Sequence, residues 1–257
     1  MKVVLFAGGR GTRIAEESVL RPKPMIETGG KPILWHIIKT YAAYGHNEFI
    51  ICLGYKGQMI KEYFINYFTH NADLTVDLSN NSVEVHQRYA EPFKVSLIDT
   101  GLDTMTAGRL KRVLPYIGQE TFMLTYGDGL CNVNINELIA FHKKHAKICT
   151  MTAIQANSRF GVINMEDDGQ IHSFEEKPAD SGTWINGGFF VIEPAIAQYL
   201  HDDADQMMWE RQPMNDLAKD QQISAYKHHG FWKCMDTIRE REELEEMWLK
   251  GAAWKNW

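Results

Sequence analysis

The residues best placed to do chemistry open the chain. An apolar run, VVLFA (3–7), delivers Gly8, Gly9 and Gly11 within four positions, and Arg13 follows two residues later. Glycines permit positive φ and let backbone N–H groups approach a ligand closely. Successive N–H groups in such a turn form an anion-binding nest, and Arg13 adds a fixed charge suited to phosphate oxygens. The loop is not a Walker A motif, because GxxxxGK[ST] is absent. It is not GxGxxG either, because after Gly9 and Gly11 position 14 is isoleucine. Read alone, the loop is either a phosphate cradle or a tight strand-to-helix turn with a surface arginine. Lys23 lies between Pro22 and Pro24 in RPKPM (21–25). Prolines fix φ and are expected to hold this backbone extended. That gives a stiff mount for an ammonium that must meet one phosphate, or a proline-rich surface turn with a solvated lysine. The two motifs about ten residues apart are more specific than either alone.

Positioning such a loop requires strands that end at a common edge. Apolar, β-branched runs recur at VVLFA, FIICLGY (49–55), VSLID (95–99), FMLTY (122–126) and CTMTAI (149–154). Between them lie helical stretches at 33–45, 58–68, 105–117 and 134–146, the last with Asn134 as N-cap and Glu137 three residues on. Strands that are apolar throughout and separated by helices indicate a parallel sheet covered on both faces. In such a sheet ligands sit outside the carboxyl ends of the strands, where Gly8, Gly9 and Gly11 fall. Residues 1–155 therefore read as a doubly wound, mostly parallel, Rossmann-like α/β core. From 156 to 257 the segments FGVINM (160–165), IHSFEEKP (171–178) and GGFFVIEP (187–194) are more polar and less helical. They predict a smaller mixed or antiparallel extension within one domain, followed by a charged C-terminal helix over 237–251.

Composition narrows the class. The 257 residues are 44% hydrophobic and 23% charged, with a net charge of −6. That balance offers no basic footprint for nucleic acid. The N-terminal apolar run is too short for a signal peptide, and no stretch reaches the roughly 20 apolar residues of a membrane span. Cys52, Cys131, Cys149 and Cys234 lack paired spacing and read as reduced thiols of a cytoplasmic protein.

Taken together, FAGGRGTR (6–13), RPKPM (21–25), YGDG (126–129), FEEKP (174–178), NGGFF (186–190) and the aspartate of CMDT (234–237) resemble the sugar-1-phosphate nucleotidylyltransferase family, in order and over nearly the whole chain. KPILWHI (31–37), GYKG (54–57), IKEYF (60–64), IDTG (98–101), MTAGRLKRV (105–113) and GFW (230–232) are similar to the family's cytidylyl branch. Phe6 and Ile14 stand where leucine is more usual. The resemblance implies that a sugar 1-phosphate attacks the α-phosphate of a nucleoside triphosphate and expels pyrophosphate. For the cytidylyl branch the substrates are CTP and glucose 1-phosphate and the product is CDP-glucose, a precursor for deoxysugar and O-antigen synthesis. Both reactants are polyanions, so catalysis is positioning and charge stabilisation without a protein nucleophile.

By the same resemblance, Arg13 and Lys23 are the catalytic cations. The nucleotide is held by Phe6, Ala7, Gly8, Gly9, Arg10, Gly11, Thr12, Arg13, Lys23, Thr104, Arg109 and Gly127, and the sugar phosphate by Gly161, Glu176, Lys177 and Asn186. Asp128, after the FMLTY strand, and the distant Asp236 are the implied Mg²⁺ ligands. Read without the family, Asp128 is a turn residue of an Asp-Gly pair, and Asp236 competes with Thr237 as N-cap of the last helix. Gly108 before Arg109 would permit close backbone approach to the nucleotide, and the alternative is an ordinary helix start with Arg109 solvated. The same chemistry on UTP or dTTP, and a non-catalytic nucleotide-sugar-binding homologue, stand as alternatives. The latter sits poorly with an intact set of Arg13, Lys23, Asp128, Lys177 and Asp236. Of the remaining residues, HKKH (142–145) reads as a solvated helix face, His228 and His229 carry no role, and the WKNW tail (254–257) is expected to pack on the body or a neighbouring subunit. Family members are oligomers, and the cytidylyl branch implies a homohexamer.

Overall fold

The computed structural model describes residues 1–88, 91–155, 162–165, 171–175 and 183–257. A seven-stranded sheet organises them, built from β1 (Val3–Phe6), β2 (Glu48–Leu53), β3 (Lys94–Asp99), β4 (Phe122–Tyr126), β5 (Cys149–Gln155), β6 (Trp184–Ile192) and β7 (Ile223–His228) in the order β7-β5-β6-β4-β1-β2-β3. β6 runs antiparallel to both its neighbours; every other pairing is parallel. The main helices are α1 (Ile33–Ala42), α2 (Gly57–Ile65), α3 (Thr106–Ile117), α4 (Ile135–His145), α5 (Gln212–Lys219) and α6 (Ile238–Lys250).

The continuous apolar strands follow from burial on both faces. Along β1, Val3 and Leu5 join a cluster with Ile33, Leu34 and Ile37 of α1 and Leu244 of α6. Val4 and Phe6 join a second cluster with Ala107, Leu110 and Val113 of α3 and Leu217 of α5. The period-2 alternation of a strand thus divides one sequence run between two cores.

Three expectations change. The strand expected in a separate extension, β6, lies inside the main sheet, because FFVI is buried on both faces and pairs with β4 and β5. The helix expected over 58–68 ends at Ile65, and a short turn of helix, Tyr67–His70, follows Asn66. His142 is buried rather than solvated: it bonds Thr150 Oγ1 (2.9 Å) and Glu193 (3.0 Å). A hairpin, Ala72–Asp77 with Ser82–Arg88, was not anticipated. The WKNW tail does pack on the body: Trp254 is fully buried, its indole N–H donates to His36 Nδ1, and Trp257 stands edge-on to Trp35. Cys52, Cys131, Cys149 and Cys234 are free thiols. Among the described residues no helix is long and apolar enough to cross a membrane.

Candidate active site

The parallel strands β1, β2, β3 and β4 end side by side, and backbone bonds tie the loops that leave them. Ala7 N donates to Cys52 O, Tyr55 N to Gly8 O, Thr100 N to Leu53 O and Gly127 N to Phe6 O. The loop after β1 turns through Gly11, whose φ of +63° only a glycine adopts at little cost, into the short turn Thr12–Ile14. The N–H groups of Gly9, Arg10, Gly11 and Thr12 have no acceptor among the described residues. They form an unclaimed row of donors at the sheet edge.

Arg109 holds this edge together. It is 4% exposed, and its guanidinium donates to Leu53 O, Thr100 Oγ1, Gly101 O, Gly8 O and Leu102 O over 2.7–3.4 Å. A Cβ at Gly8 would stand 2.2 Å from Arg109 Nη1, and one at Gly54 2.6 Å from the same atom. These glycines therefore make room for the guanidinium. Arg109 is neither solvated nor aimed at open space: it is the clasp of the loops after β1, β2 and β3. Gly108 is also reassigned, because its close neighbour is the Asp205 backbone, 2.6 Å from where a Cβ would lie. Thr104 is half-buried, and beside it Asp103 pairs with Arg10 of the first loop at 2.8 Å. Phe6 is buried, its ring 6.1 Å from that of Tyr126.

Lys23, Asp128 and Asp236 converge. Lys23 Nζ donates to Asp128 Oδ2 and to Asp236 Oδ1, each at 2.5 Å. Arg13 Nη1 donates to Asp236 Oδ2 at 2.8 Å. The mount of Lys23 differs from the extended segment expected. Lys23–Met25 is a 3-10 turn closed by Met25 N to Pro22 O and Ile26 N to Lys23 O, and Pro24 occupies a position whose nitrogen the turn does not need as a donor. That turn lies against Gly127, where a Cβ would come 3.1 Å from Pro24 Cγ.

Asp236 returns to Asp128 by backbone pairing. Trp232–Cys234 pairs antiparallel with Gly129–Cys131, and Met235 N donates to Asp128 O. Thr237, not Asp236, caps α6 in a reciprocal capping box with Glu240. Glu240 Oε2 also accepts from Asp236 N (2.8 Å), which fixes the aspartate's backbone. The TxxE spacing that marks this role was readable in the sequence.

The electrostatics follow. Burial alone would lower the Lys23 ammonium, but Asp128 and Asp236 outweigh it and hold its pKa above the ordinary lysine value. Burial would raise Asp236, yet Lys23 and Arg13 hold it below the ordinary carboxylate value. An ammonium has three donors; the third N–H of Lys23 has no partner among the described residues. Arg13, 77% exposed, spends one donor on Asp236.

Asn186 lies on β6 with Oδ1 accepting from Gly188 N (2.8 Å) and Nδ2 donating to Tyr126 OH (3.2 Å). Gly161, Glu176 and Lys177 lie outside the described residues. Tyr126, at the end of β4 and missed as a site residue in the sequence, meets Asn186 through its hydroxyl.

A cationic loop, a lysine between two carboxylates and an oriented amide therefore share one sheet edge. The chain matches the nucleotidyl transferase family over residues 2–248. It is 49% identical to the glucose-1-phosphate cytidylyltransferase of Salmonella typhi and 46% identical to the probable glucose-1-phosphate cytidylyltransferase of Bacillus subtilis, in both cases over 100% of each chain. In fold it is similar to a putative glucose-1-phosphate thymidylyltransferase from Bacillus anthracis solved in complex with a sucrose, with a TM-score of 0.70, 17% identity, and 100% of this chain and 97% of that chain covered.

Proposed function

The chain belongs to the nucleotidyl transferase family, and from that premise we propose that it transfers a cytidylyl group from CTP to glucose 1-phosphate, giving CDP-glucose and pyrophosphate. The observation that carries this reading is full-length identity of 49% to a cytidylyltransferase, joined to a site whose cations and carboxylates meet as that chemistry needs.

An oxygen of the sugar phosphate attacks the α-phosphorus in line, and pyrophosphate leaves. The protein supplies no nucleophile. The unclaimed N–H groups of Gly9–Thr12 receive the triphosphate. Arg13 and the third N–H of Lys23 offset charge that builds on the reacting phosphates. Asn186, with Gly161, Glu176 and Lys177, takes the sugar phosphate. Asp128 and Asp236 fit Mg²⁺: both are hard oxygen donors, and both already converge on the Lys23 ammonium. Bound there, the ion would supply charge neutralisation across the phosphate oxygens.

We extend the proposal to a homo-oligomer, a hexamer by resemblance. The hairpin beyond α2 exposes Val76, Leu78 and Val83, apolar surface suited to a second copy. Sedimentation as a monomer would contradict this extension.

Base selectivity tests the functional reading. A hydrogen-bonded base edge leaves buried polar groups unpaired when mismatched, at about 1–3 kcal/mol each. CTP should therefore exceed UTP, which replaces the cytosine amino donor with a carbonyl acceptor, by tenfold or more in kcat/KM. Equal values would remove the cytidylyl assignment and leave the nucleotidyl transferase intact.

Arg109 yields a separate expectation. Lysine keeps its charge but not its fork of donors. Arg109→Lys should raise the KM for CTP about tenfold, lower Tm, and change the KM for glucose 1-phosphate much less. An unchanged KM for CTP in the folded variant would mean that the clasp does not shape the nucleotide loop.

A further inference from the structure

The glycine loop leads into a short helix, Ala15–Ser18, with little of its own to hold it. Four residues make one turn, too few to sustain a helix without outside contacts. The chain beyond it is open: Val19 and Leu20 are exposed, and Leu20 N and Arg21 N both close onto Glu17 O, at 3.0 and 3.1 Å. The loop nevertheless rests on this segment. A Cβ at Gly11 would stand 3.3 Å from Ser18 Cβ and 3.2 Å from Lys23 Cβ. A shift of Ser18 is therefore felt by the row of N–H donors and by the lysine mount together.

Side chains moor the segment from two directions. From the loop after β2, Tyr55 OH donates to Ser18 O (3.2 Å) and Lys56 Nζ donates to Val19 O. From α6, Arg241 Nη1 lies 3.3 Å from Glu17 Oε1. Arg241 is in the first turn of α6, where its N–H donates to Thr237 O, and Leu244 seats that helix in the core beneath β1. The Arg241 Nε is buried without a hydrogen-bond partner, and among the described residues Glu17 is the carboxylate paired with the guanidinium.

The segment thus reaches α6 twice, through Arg13 to Asp236 and, four residues on, through Glu17 to Arg241. The two ties respond differently to a nucleotide. Phosphate oxygens compete with Asp236 for the Arg13 guanidinium, whereas a polyanion has no attraction for the Glu17 carboxylate. We infer that the Glu17–Arg241 pair is the standing mooring of the phosphate loop: it holds the loop against α6 while Arg13 turns from Asp236 to the reacting phosphates. Glu17 and Arg241 are positioning residues, and neither touches a reacting atom. This rests on the placement of the triphosphate at Gly9–Thr12 given above. A part-exposed pair adds little to global stability, but a short segment opens at far lower cost than the whole fold. Apparent affinity falls with the fraction of loops left in the binding-competent state.

The test is steady-state kinetics in both substrates. Glu17→Gln keeps the shape and removes the charge. It should raise the KM for CTP about fivefold, the upper range for a part-exposed pair, with the KM for glucose 1-phosphate changed less than about twofold and Tm nearly constant. Arg241→Gln should do the same, and the double variant should be no worse than either single one, because coupled residues are not additive. Arg241→Lys should stay within about twofold of wild type, since the pair uses one contact rather than a fork. Multiplying effects in the double variant, equal changes in both KM values, an unchanged KM for CTP in the single variants, or Arg241→Lys as impaired as Arg241→Gln would each overturn the inference. A wild-type protein without turnover that depends on CTP and glucose 1-phosphate would instead remove the functional reading on which it rests, which keeps the two failures apart.

Discussion

Lys23→Ala is expected to cut turnover by two or more orders of magnitude, the scale of losing one preorganised charge stabiliser. The structure adds a consequence for stability. The Lys23 side chain is 11% exposed and bonds two carboxylates. Its removal leaves Asp128 and Asp236 facing each other, with only Arg13 still paired to Asp236. Leaving charged acceptors without their donor costs about 1–3 kcal/mol. The variant should therefore lose Tm at neutral pH.

Asp236 has a folded pKa below its unfolded value, so the stability it contributes is present above the unfolded value and lost as pH falls through the folded one. Without Lys23 this contribution shrinks, and the Tm difference between wild type and variant should narrow on acidification through the carboxylate range. Near-normal turnover in folded Lys23→Ala would contradict its assignment. A Tm gap that widens on acidification would contradict the paired-carboxylate account.

Asp128→Asn should be comparably severe in activity and gentler in stability. Asparagine keeps the size and one carbonyl acceptor, so the bond from Lys23 can survive, but the negative charge is gone. A Mg²⁺ site needs anionic oxygen, so turnover should collapse, and raised Mg²⁺ should recover only part of it. Direct titration of the metal should show weakened binding in the variant. Full turnover at low Mg²⁺ would reduce Asp128 to a turn residue of its Asp-Gly pair.

The sequence made the strands of the parallel core, the glycine loop and the major helices legible, because each depends on local pattern. The place of β6 was not legible: a fully buried antiparallel strand reads as the same apolar run as a parallel one. The hairpin at 72–88 was missed although its apolar residues alternate around Asn80 and Asn81, the latter at positive φ, which is a readable turn signal. Lys23 is the instructive case. Its prolines were visible, and its proximity to the reacting region was expected from resemblance, but the prolines were read as an extended mount rather than a 3-10 turn, and the two carboxylates lie over a hundred residues away. Arg109 shows the opposite limit: the sequence marked the residue and missed that four of its five acceptors are backbone carbonyls, which no side-chain pattern announces.

The transfer itself is tested most directly by following phosphorus. With CTP labelled at the α-phosphate, glucose 1-phosphate and Mg²⁺, the account predicts that the label appears in CDP-glucose while unlabelled pyrophosphate is released in equal amount, and that omitting glucose 1-phosphate abolishes both. Label remaining in CTP, or pyrophosphate release that proceeds without glucose 1-phosphate, would contradict it.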